Sequence, residues 1–314
     1  MLSPLNEFAV ITKNLEKRFG DFIAVNRINL AIKKGEIFGF LGPNGAGKST
    51  VIRMLCGILR PSGGEGKVAG LDLLTQTETI KLYIGYMSQK FSLYDDLTVE
   101  ENINFYAGIY RLSPEKIAER KEWTIRMAGL EKHRQQITST LAGGWKQRLS
   151  LGCAILHEPP IVFLDEPTSG VDPLSRRDFW NLIQELANAG TTIFVTTHYM
   201  DEAEYCDRLA FIYRGELVAV GTPEELKTRL MLDQVIEIVT PKPTDAMEVI
   251  RSMEDVKEVA LFGDALHVVI PENIREEKLR EALISHGLSL ERFERIVPSL
   301  EDVFVSLIEA KDRE

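Results

Sequence analysis

Short apolar runs alternate with helical patterns through the N-terminal part of the chain. Apolar runs of this length between turn signals are typical of buried strands. Helical periodicity separates most of them, which predicts a mostly parallel sheet covered by helices. The runs predicted as strands are 37–41, 81–88, 161–164, 192–197 and 209–213. The first intervening helix is marked by Val51, Ile52, Met54, Leu55 and Ile58.

The stretch from Tyr94 to Gln136 has an almost entirely helical pattern. Thr98 and Glu101 have the spacing of a capping box, so the first helix is predicted to begin there. A further helix is predicted over 140–155, where a glycine pair precedes one apolar stripe and two prolines follow. The stripe consists of Trp145, Leu149, Gly152 and Leu156.

Near residue 221 the pattern changes to a turn and a closing helix, followed by shorter elements. Their predicted order is βαββαβ with one more helix, a two-fold repetition that is typical of ferredoxin-like domains. The predicted strands are 234–239, 257–262, 265–270 and 289–296, and the predicted helices are 244–253, 274–286 and 299–310.

Length and charge narrow the classes of function. The 314 residues suffice for about two domains. Lys and Arg number 37 against 47 Asp and Glu, which argues against a nucleic-acid partner because phosphate backbones select basic faces. The three cysteines form no CxxC pair and indicate a reducing compartment. The first ten residues lack a signal-peptide pattern, and no stretch approaches the ~18 apolar residues of a membrane span.

The strongest chemical signal is GPNGAGKST, which follows one predicted strand and opens a helix. This spacing matches a P-loop, in which backbone amides and the helix N-terminus cradle phosphates. The motif predicts that Lys48 reaches the β- and γ-phosphates of ATP and that the Ser49 hydroxyl ligates Mg²⁺. The candidate nucleotide-binding residues are Gly42, Pro43, Asn44, Gly45, Ala46, Gly47, Lys48, Ser49 and Thr50.

Two carboxylates follow the apolar run IVFL, at the edge where parallel sheets bind ligands. Asp165 is predicted to hold Mg²⁺ or its water, and Glu166 to polarise an attacking water. A solvated acidic pair is the alternative for this stretch taken alone, and the neighbouring P-loop disfavours it.

With these motifs the chain resembles the nucleotide-binding subunits of ATP-binding cassette (ABC) transporters over residues 8–228. The resemblance implies that Phe19 stacks on adenine, that Gln89 senses Mg²⁺ and the γ-phosphate, and that His198 bonds the γ-phosphate. It also places Asp172 at the D-loop position of the family. Without the resemblance, Phe19 and His198 would be interpreted as structural, and Gln89 would indicate no function.

The stretch Leu141-Ala-Gly-Gly-Trp145 resembles the signature motif of the family, normally LSGGQ, with Ala142 in place of serine. The chain thus has two glycine-rich helix N-termini suited to anions but one P-loop. A head-to-tail dimer would close each ATP site with the Gly143 and Gly144 amides of the other copy. Alanine cannot donate a hydroxyl, so a weaker or slower site is expected.

The segment Pro298–Phe304 and the stretch DEAEYCDR resemble the ATPase subunits of ABC-2-type exporters, including drug exporters. The fold expected is an α/β P-loop ATPase core over 1–228, with a helical subdomain near 90–158, and a ferredoxin-like α+β domain over 229–314. The expected partners are a second copy and a separate integral membrane permease, with the chain on the cytoplasmic face of the membrane. An importer ATPase, a non-transport ABC ATPase and a nucleotide-binding regulator without turnover stay open as alternatives.

Overall fold

The computed structural model describes residues 7–231 and 233–313. Residues 1–6, the start of the stretch assessed for a signal peptide, lie outside the described part. The chain divides into two compact units, the first ending at Val220 and the second beginning at Gly221. None of the helices within the described ranges combines the length and apolar character that a bilayer crossing requires.

The first unit contains two sheets and six helices in its described part. Its strands are β1 (Phe8–Phe19), β2 (Phe22–Ile28), β3 (Ala31–Lys33), β4 (Ile37–Leu41), β5 (Gly63–Val68), β6 (Leu71–Asp72), β7 (Ile84–Met87), β8 (Ile161–Asp165), β9 (Thr192–Thr197), β10 (Arg208–Tyr213) and β11 (Glu216–Gly221). Its helices are α1 (Lys48–Leu55), α2 (Thr77–Tyr83), α3 (Val99–Ile109), α4 (Pro114–Met127), α5 (Gly143–Ala154) and α6 (Pro173–Asn188). Short 3₁₀ turns occupy Glu131–His133, Thr138–Thr140 and Met200–Tyr205.

The central sheet has the strand order β11-β10-β4-β9-β8-β7, and its neighbours from β10 to β7 are parallel. This confirms the predicted parallel sheet. Strands β4, β8 and β9 are buried along their whole length, as expected where helices cover both faces. Around Phe194, three aromatic rings pack with centroids 5.4–5.9 Å away, and they belong to Phe38, Phe40 and Phe163. A smaller sheet, β2-β1-β5-β6 with β3 on β1, flanks this core.

Two predicted boundaries in this unit are wrong. Residues 81–83 belong to α2 instead of a strand, and Leu82 and Tyr83 are half exposed where a central strand would bury them. Ile58 lies beyond the end of α1 and is 54% exposed. Both errors come from apolar residues that continue a run without being buried, which hydrophobic pattern alone cannot detect.

Helices α3, α4 and α5 pack around a core of their own. The predicted capping box is confirmed, since the Glu101 amide donates to Thr98 Oγ1 (3.2 Å) and the Thr98 amide to Glu101 Oε2 (2.8 Å). Helix α5 ends at Ala154, before the predicted stop, and every residue from Leu149 to Ala154 is buried. At Gly152 a β-carbon would lie 2.5 Å from Thr124 Cγ2, so glycine permits the close contact of α5 with α4.

The second unit is the predicted ferredoxin-like α+β fold. Its four strands form an antiparallel sheet in the order β13-β14-β12-β15, and α8 and α9 bury one face. Its elements are α7 (Pro223–Arg229), β12 (Gln234–Val239), α8 (Pro243–Arg251), β13 (Glu258–Phe262), β14 (Ala265–Ile270), α9 (Glu276–Ser285), β15 (Arg292–Ile296) and α10 (Leu300–Arg313).

The other face of this sheet contacts α10 through a buried polar cluster. His267 Nδ1 lies 2.7 Å from Asp302 Oδ1, and its Nε2 lies 3.5 Å from Glu237 Oε2. Burial lowers the pKa of His267, but the hydrogen bonds and charges of Asp302 and Glu237 outweigh it, so the pKa is raised. Burial, together with Glu309 and Asp302, raises the pKa of Glu258 to about 7.

Both raised pKa values predict that the second unit loses stability as pH rises. His267 stabilises the fold fully below its unfolded pKa, and this contribution is lost as pH rises through the higher folded value. The neutral Glu258 carboxyl contributes in the same direction, because the folded unit holds its proton up to about pH 7. We expect hydrogen exchange in residues 233–313, corrected for intrinsic rates, to accelerate as pH rises from about 5 to beyond 7. Mass spectrometry is the suitable probe, since all Trp and Tyr residues precede residue 221.

A matched pair of variants separates Glu258 from the rest of the unit. Glu258→Gln keeps an uncharged side chain at all pH values and should make the profile less steep, with the contribution of His267 remaining. Glu254→Gln changes an exposed carboxylate and should leave the profile as in the wild type. An unaltered profile in Glu258→Gln would contradict the assigned role of that carboxyl.

Candidate functional site

The P-loop connects β4 to α1 and has glycines where a side chain would clash with the fold or strain the backbone. Gly47 has φ +110°, and a β-carbon there would lie 2.6 Å from the Ala24 carbonyl oxygen. This turn brings Lys48 and Ser49 to the first turn of α1, whose N-terminus favours anions. The structure thus has the strand, loop and helix context that the motif requires.

The P-loop residues divide into those that face the cleft and those that support it. Asn44, Gly45, Gly47, Lys48, Ser49 and Thr50 line the cleft, whereas Gly42, Pro43 and Ala46 do not. The carbonyl oxygens of Gly42 and Pro43 accept hydrogen bonds from Lys48 Nζ at 2.7 and 3.2 Å. A β-carbon on Gly42 would lie 2.2 Å from the Ile212 carbonyl oxygen, so packing against β10 requires glycine there.

Asp165 ends β8 beside the first turn of α1. Its Oδ1 accepts hydrogen bonds from Ser49 Oγ (3.0 Å) and Thr196 Oγ1 (2.9 Å). Burial raises the pKa of Asp165, and these two hydrogen bonds oppose the rise. A hydroxyl beside a carboxylate fits Mg²⁺, which takes one or two protein oxygens together with substrate phosphates. Residues 7–231 and 233–313 contain no metal-binding cluster of three His, Cys, Asp or Glu.

Three residues singled out from the sequence converge on the Glu166 carboxylate. Lys48 Nζ lies 3.1 Å from Oε1, and Gln89 Nε2 donates to Oε2 at 3.0 Å. His198 Nδ1 lies 3.4 Å from Oε2 and makes no hydrogen bond within the described residues. Glu166 and Lys48 are both buried. The structure therefore brings together the groups predicted to orient water, sense the nucleotide and bond phosphate.

A cleft of ≈ 430 Å³ is lined by Lys48, Gln89 and Glu166, whereas His198 and Asp165 do not line it. Phe19 lies on its rim, 50% exposed, with Lys17 Nζ 5.1 Å from the ring centroid. Phe22, which belongs to none of the motifs found in the sequence, also lines the cleft and is 66% exposed. It pairs with Phe19 across the β1–β2 turn, so the available signal in the sequence was an aromatic residue on each side of Gly20-Asp21.

The signature stretch lines a different pocket. The start of α5 forms a cavity of ≈ 420 Å³ with the start of α6, lined by Ala142, Gly143, Gly144, Trp145, Arg148, Gly170, Val171, Asp172, Ser175 and Asp178. Asp172 Oδ1 accepts from the Ser175 amide (3.0 Å) and caps α6, which holds the pKa of Asp172 below its usual value. Gly143, Gly144 and Asp172 therefore lie together, and none of them lines the P-loop cleft.

Trp145 packs towards the helical region. Its ring lies 3.4 Å from the β-carbon position of Gly129, 4.9 Å between centroids from His133, and 5.1 Å from the Arg148 guanidinium. These contacts explain why tryptophan is accommodated in the first turn of α5.

Comparison with known proteins agrees with this arrangement. Residues 25–169 match the ABC transporter family model, and residues 221–308 match the model for the C-terminal domain of DrrA1-3-like ATP-binding proteins. The linearmycin resistance ATP-binding protein LnrL of Bacillus subtilis strain 168 is 35% identical over 301 residues, which cover 94% of this chain and 96% of that protein. The chain belongs to the ABC transporter ATP-binding proteins.

Two further relatives differ in how much of their length this ABC protein covers. The Nod factor export ATP-binding protein I of Rhizobium sp. strain N33 is 36% identical over 306 residues, 96% of this chain and 98% of that protein. The Escherichia coli K12 protein named probable multidrug ABC transporter ATP-binding protein YbhF is 48% identical over 249 residues, 79% of this chain. The match spans only 42% of the YbhF length.

Solved structures of related proteins share the first unit. The structure of cbiO1 from Clostridium perfringens, described as part of the ABC transporter complex cbiONQ, has a TM-score of 0.66 and 28% identity over 71% of this chain and 92% of that one. A dimeric, post-hydrolysis ATP-binding cassette, MJ0796 bound to ADP and Pi, has a TM-score of 0.62 and 29% identity over 68% of this chain and 98% of that one.

Ala142 stands where the signature motif of the family has serine, and the effect of this difference can be tested. It occupies the N-cap of α5, where its methyl group accepts no hydrogen bond from the first-turn amides. Ala142→Ser should cap the helix and stabilise the protein by about 0.5–2 kcal/mol. It should also raise ATP turnover or tighten the ATP-bound dimer by supplying a hydroxyl donor. Higher thermal stability with unchanged turnover and dimer affinity would show that the backbone amides suffice.

Proposed function

We propose that this chain is the ATP-hydrolysing subunit of an ABC-2-type exporter. The observation that carries the proposal is the convergence of Lys48, Gln89 and His198 on Glu166, which lines the P-loop cleft. Hydrolysis of ATP to ADP and phosphate needs groups that position the phosphates, neutralise their charge and orient a water molecule. The cleft supplies each of these groups from a different element.

Each group has a distinct role in the proposed reaction. The amides of the P-loop and the Lys48 ammonium bind the phosphates, and Phe19 offers its exposed ring to the base. Ser49 and Asp165 would hold Mg²⁺, with Gln89 next to the site. Mg²⁺ would neutralise charge on the phosphates. Glu166 orients the water that attacks the γ-phosphorus, and His198 and Lys48 stabilise the charge on the departing phosphate.

The two pockets support a head-to-tail pair of copies that forms with ATP. One pocket contains the P-loop and the other contains the start of α5, and they share no lining residue. In a two-fold dimer, the Gly143 and Gly144 amides of one copy would face the γ-phosphate bound by the other copy. Asp172 would lie at the same interface.

Transport requires a membrane partner in this proposal. The relatives' names refer to multidrug transport, linearmycin resistance and Nod factor export, which supports export of an amphipathic compound. We propose that the chain binds a separate integral permease on the cytoplasmic face of the membrane, through the helical region that begins near Tyr94. The net charge of −10 supports the absence of a nucleic-acid partner.

Transport direction distinguishes the exporter from an importer, the main alternative. In cells that produce the chain with its permease, Lys48→Ala should increase the accumulation of an amphipathic fluorescent cargo relative to the wild type. Lower accumulation in the same variant would indicate import. Accumulation equal to the wild type for all cargo tested, despite lost ATP turnover, would favour a non-transport ATPase.

A further inference from the structure

Thr196 connects the two carboxylates of the site through a single hydroxyl. It lies in β9, fully buried and in parallel register with Asp165 of β8. Its Oγ1 is 2.9 Å from Asp165 Oδ1 and 3.0 Å from the Glu166 amide nitrogen. Neither the P-loop nor the IVFLDE motif contains this residue.

The chemistry of the groups fixes the direction of both hydrogen bonds. The Glu166 amide can only donate, so Thr196 Oγ1 is the acceptor in that bond. The single hydroxyl proton is then available to Asp165 Oδ1, which also accepts from Ser49 Oγ at 3.0 Å. One side chain therefore orients the metal-site carboxylate and anchors the backbone of the next residue.

The Glu166 backbone needs such an anchor. Its φ is +47°, in the left-handed region that non-glycine residues adopt infrequently. The Glu166 amide donates to two oxygens of Thr196, the carbonyl oxygen at 3.1 Å and Oγ1 at 3.0 Å. This conformation directs the carboxylate to Lys48 and Gln89.

We propose that Thr196 is a positioning residue for hydrolysis, which sets Asp165 for Mg²⁺ and Glu166 for the attacking water. The inference rests on the proposed function for its effect on turnover. It predicts that loss of the Thr196 hydroxyl lowers kcat and the contribution of Mg²⁺ to nucleotide affinity. The nucleotide contacts made by the P-loop and Phe19 should stay intact.

The test compares three variants of the full chain. Thr196→Val removes the hydroxyl at nearly constant volume, and Thr196→Ser retains it. Thr192→Val is the matched control, because Thr192 lies in the same strand, is 1% exposed and accepts one hydrogen bond, from the Gly35 amide at 3.0 Å. Thermal unfolding of all variants shows how much stability each buried hydroxyl contributes.

Two measurements decide the proposal. Thr196→Val should lower kcat about 10- to 100-fold, the range typical of groups that orient metal ligands. In titrations with a fluorescent ATP analogue, it should lose the gain in affinity that Mg²⁺ gives over EDTA, while affinity in EDTA is unchanged. Thr196→Ser should restore both properties to within about 3-fold of the wild type.

The two measurements also separate this inference from the proposed function. If the wild type binds the analogue but hydrolyses no ATP, the proposed function fails, and the Mg²⁺ dependence of binding still tests Thr196. If Thr196→Val matches Thr192→Val in kcat and in the Mg²⁺ effect on affinity, the positioning role is overturned.

Discussion

Lys48→Ala should abolish ATP turnover, with a loss of at least about 100-fold, because the variant removes the cation at the floor of the cleft. The Lys48 ammonium is buried between the carbonyl oxygens of Gly42 and Pro43 and the Glu166 carboxylate. Its position is therefore fixed before phosphate arrives, so binding needs little reorganisation of the side chain. Phosphate release and fluorescent-nucleotide binding measure the effect.

Stability must be measured beside activity for this variant. Removing Lys48 leaves Glu166, 8% exposed, without its cation, and unpaired buried charges destabilise proteins. Lys81→Ala, in an exposed lysine of α2 that pairs with Glu78 at 2.6 Å, is the matched surface control and should keep full turnover. Turnover retained by a folded Lys48→Ala protein would contradict the assignment of the P-loop.

The parts of the site whose residues are adjacent in the chain could be predicted from the sequence. A P-loop is one continuous stretch, and its glycines, lysine and serine keep their relation to each other in any fold that contains a strand, a loop and a helix. Strand β8 likewise places Asp165 and Glu166 at its own end. The βαββαβ order of the second unit could be predicted because each element has its own periodicity.

Roles that arise from contacts across the fold could not be predicted. Thr196 donates a hydrogen bond to Asp165 on the neighbouring strand. Position 42 requires glycine because the Ile212 carbonyl oxygen of β10 leaves no room for a side chain. Neither relation is visible within a local window. Strand β1 is also hidden from pattern analysis, because register shifts near Leu15 and Lys17 interrupt the two-residue alternation on which strand prediction depends.

Glu166→Gln should lower ATP turnover by about 10³-fold while ATP stays bound, because the amide cannot polarise the attacking water. The substitution keeps the shape of the side chain, and its amide oxygen can still accept the hydrogen bond from Gln89. It removes the negative charge 3.1 Å from Lys48 Nζ, so phosphate would meet a cation with fewer competing partners. Both effects favour a trapped ATP complex.

Trapped ATP makes the proposed dimer measurable. Light scattering of Glu166→Gln should show a monomer with Mg-ADP and a dimer with Mg-ATP, since the γ-phosphate is the group that both pockets would share. The double variant Lys48→Ala/Glu166→Gln should stay monomeric in both nucleotides. An ATP-independent dimer would instead point to a permanent interface elsewhere in the chain.

The start of α5 offers a sharper control on the same experiment. Asp is a good helix N-cap, so Ala142→Asp should stabilise α5, as Ala142→Ser should. Its negative charge would, however, face the γ-phosphate of the other copy and repel it. In the Glu166→Gln background, Ala142→Asp should therefore prevent the ATP-dependent dimer while Ala142→Ser preserves or tightens it. Equal dimerisation of the two variants would place the α5 N-terminus outside the interface, because helix capping alone would act on both in the same way.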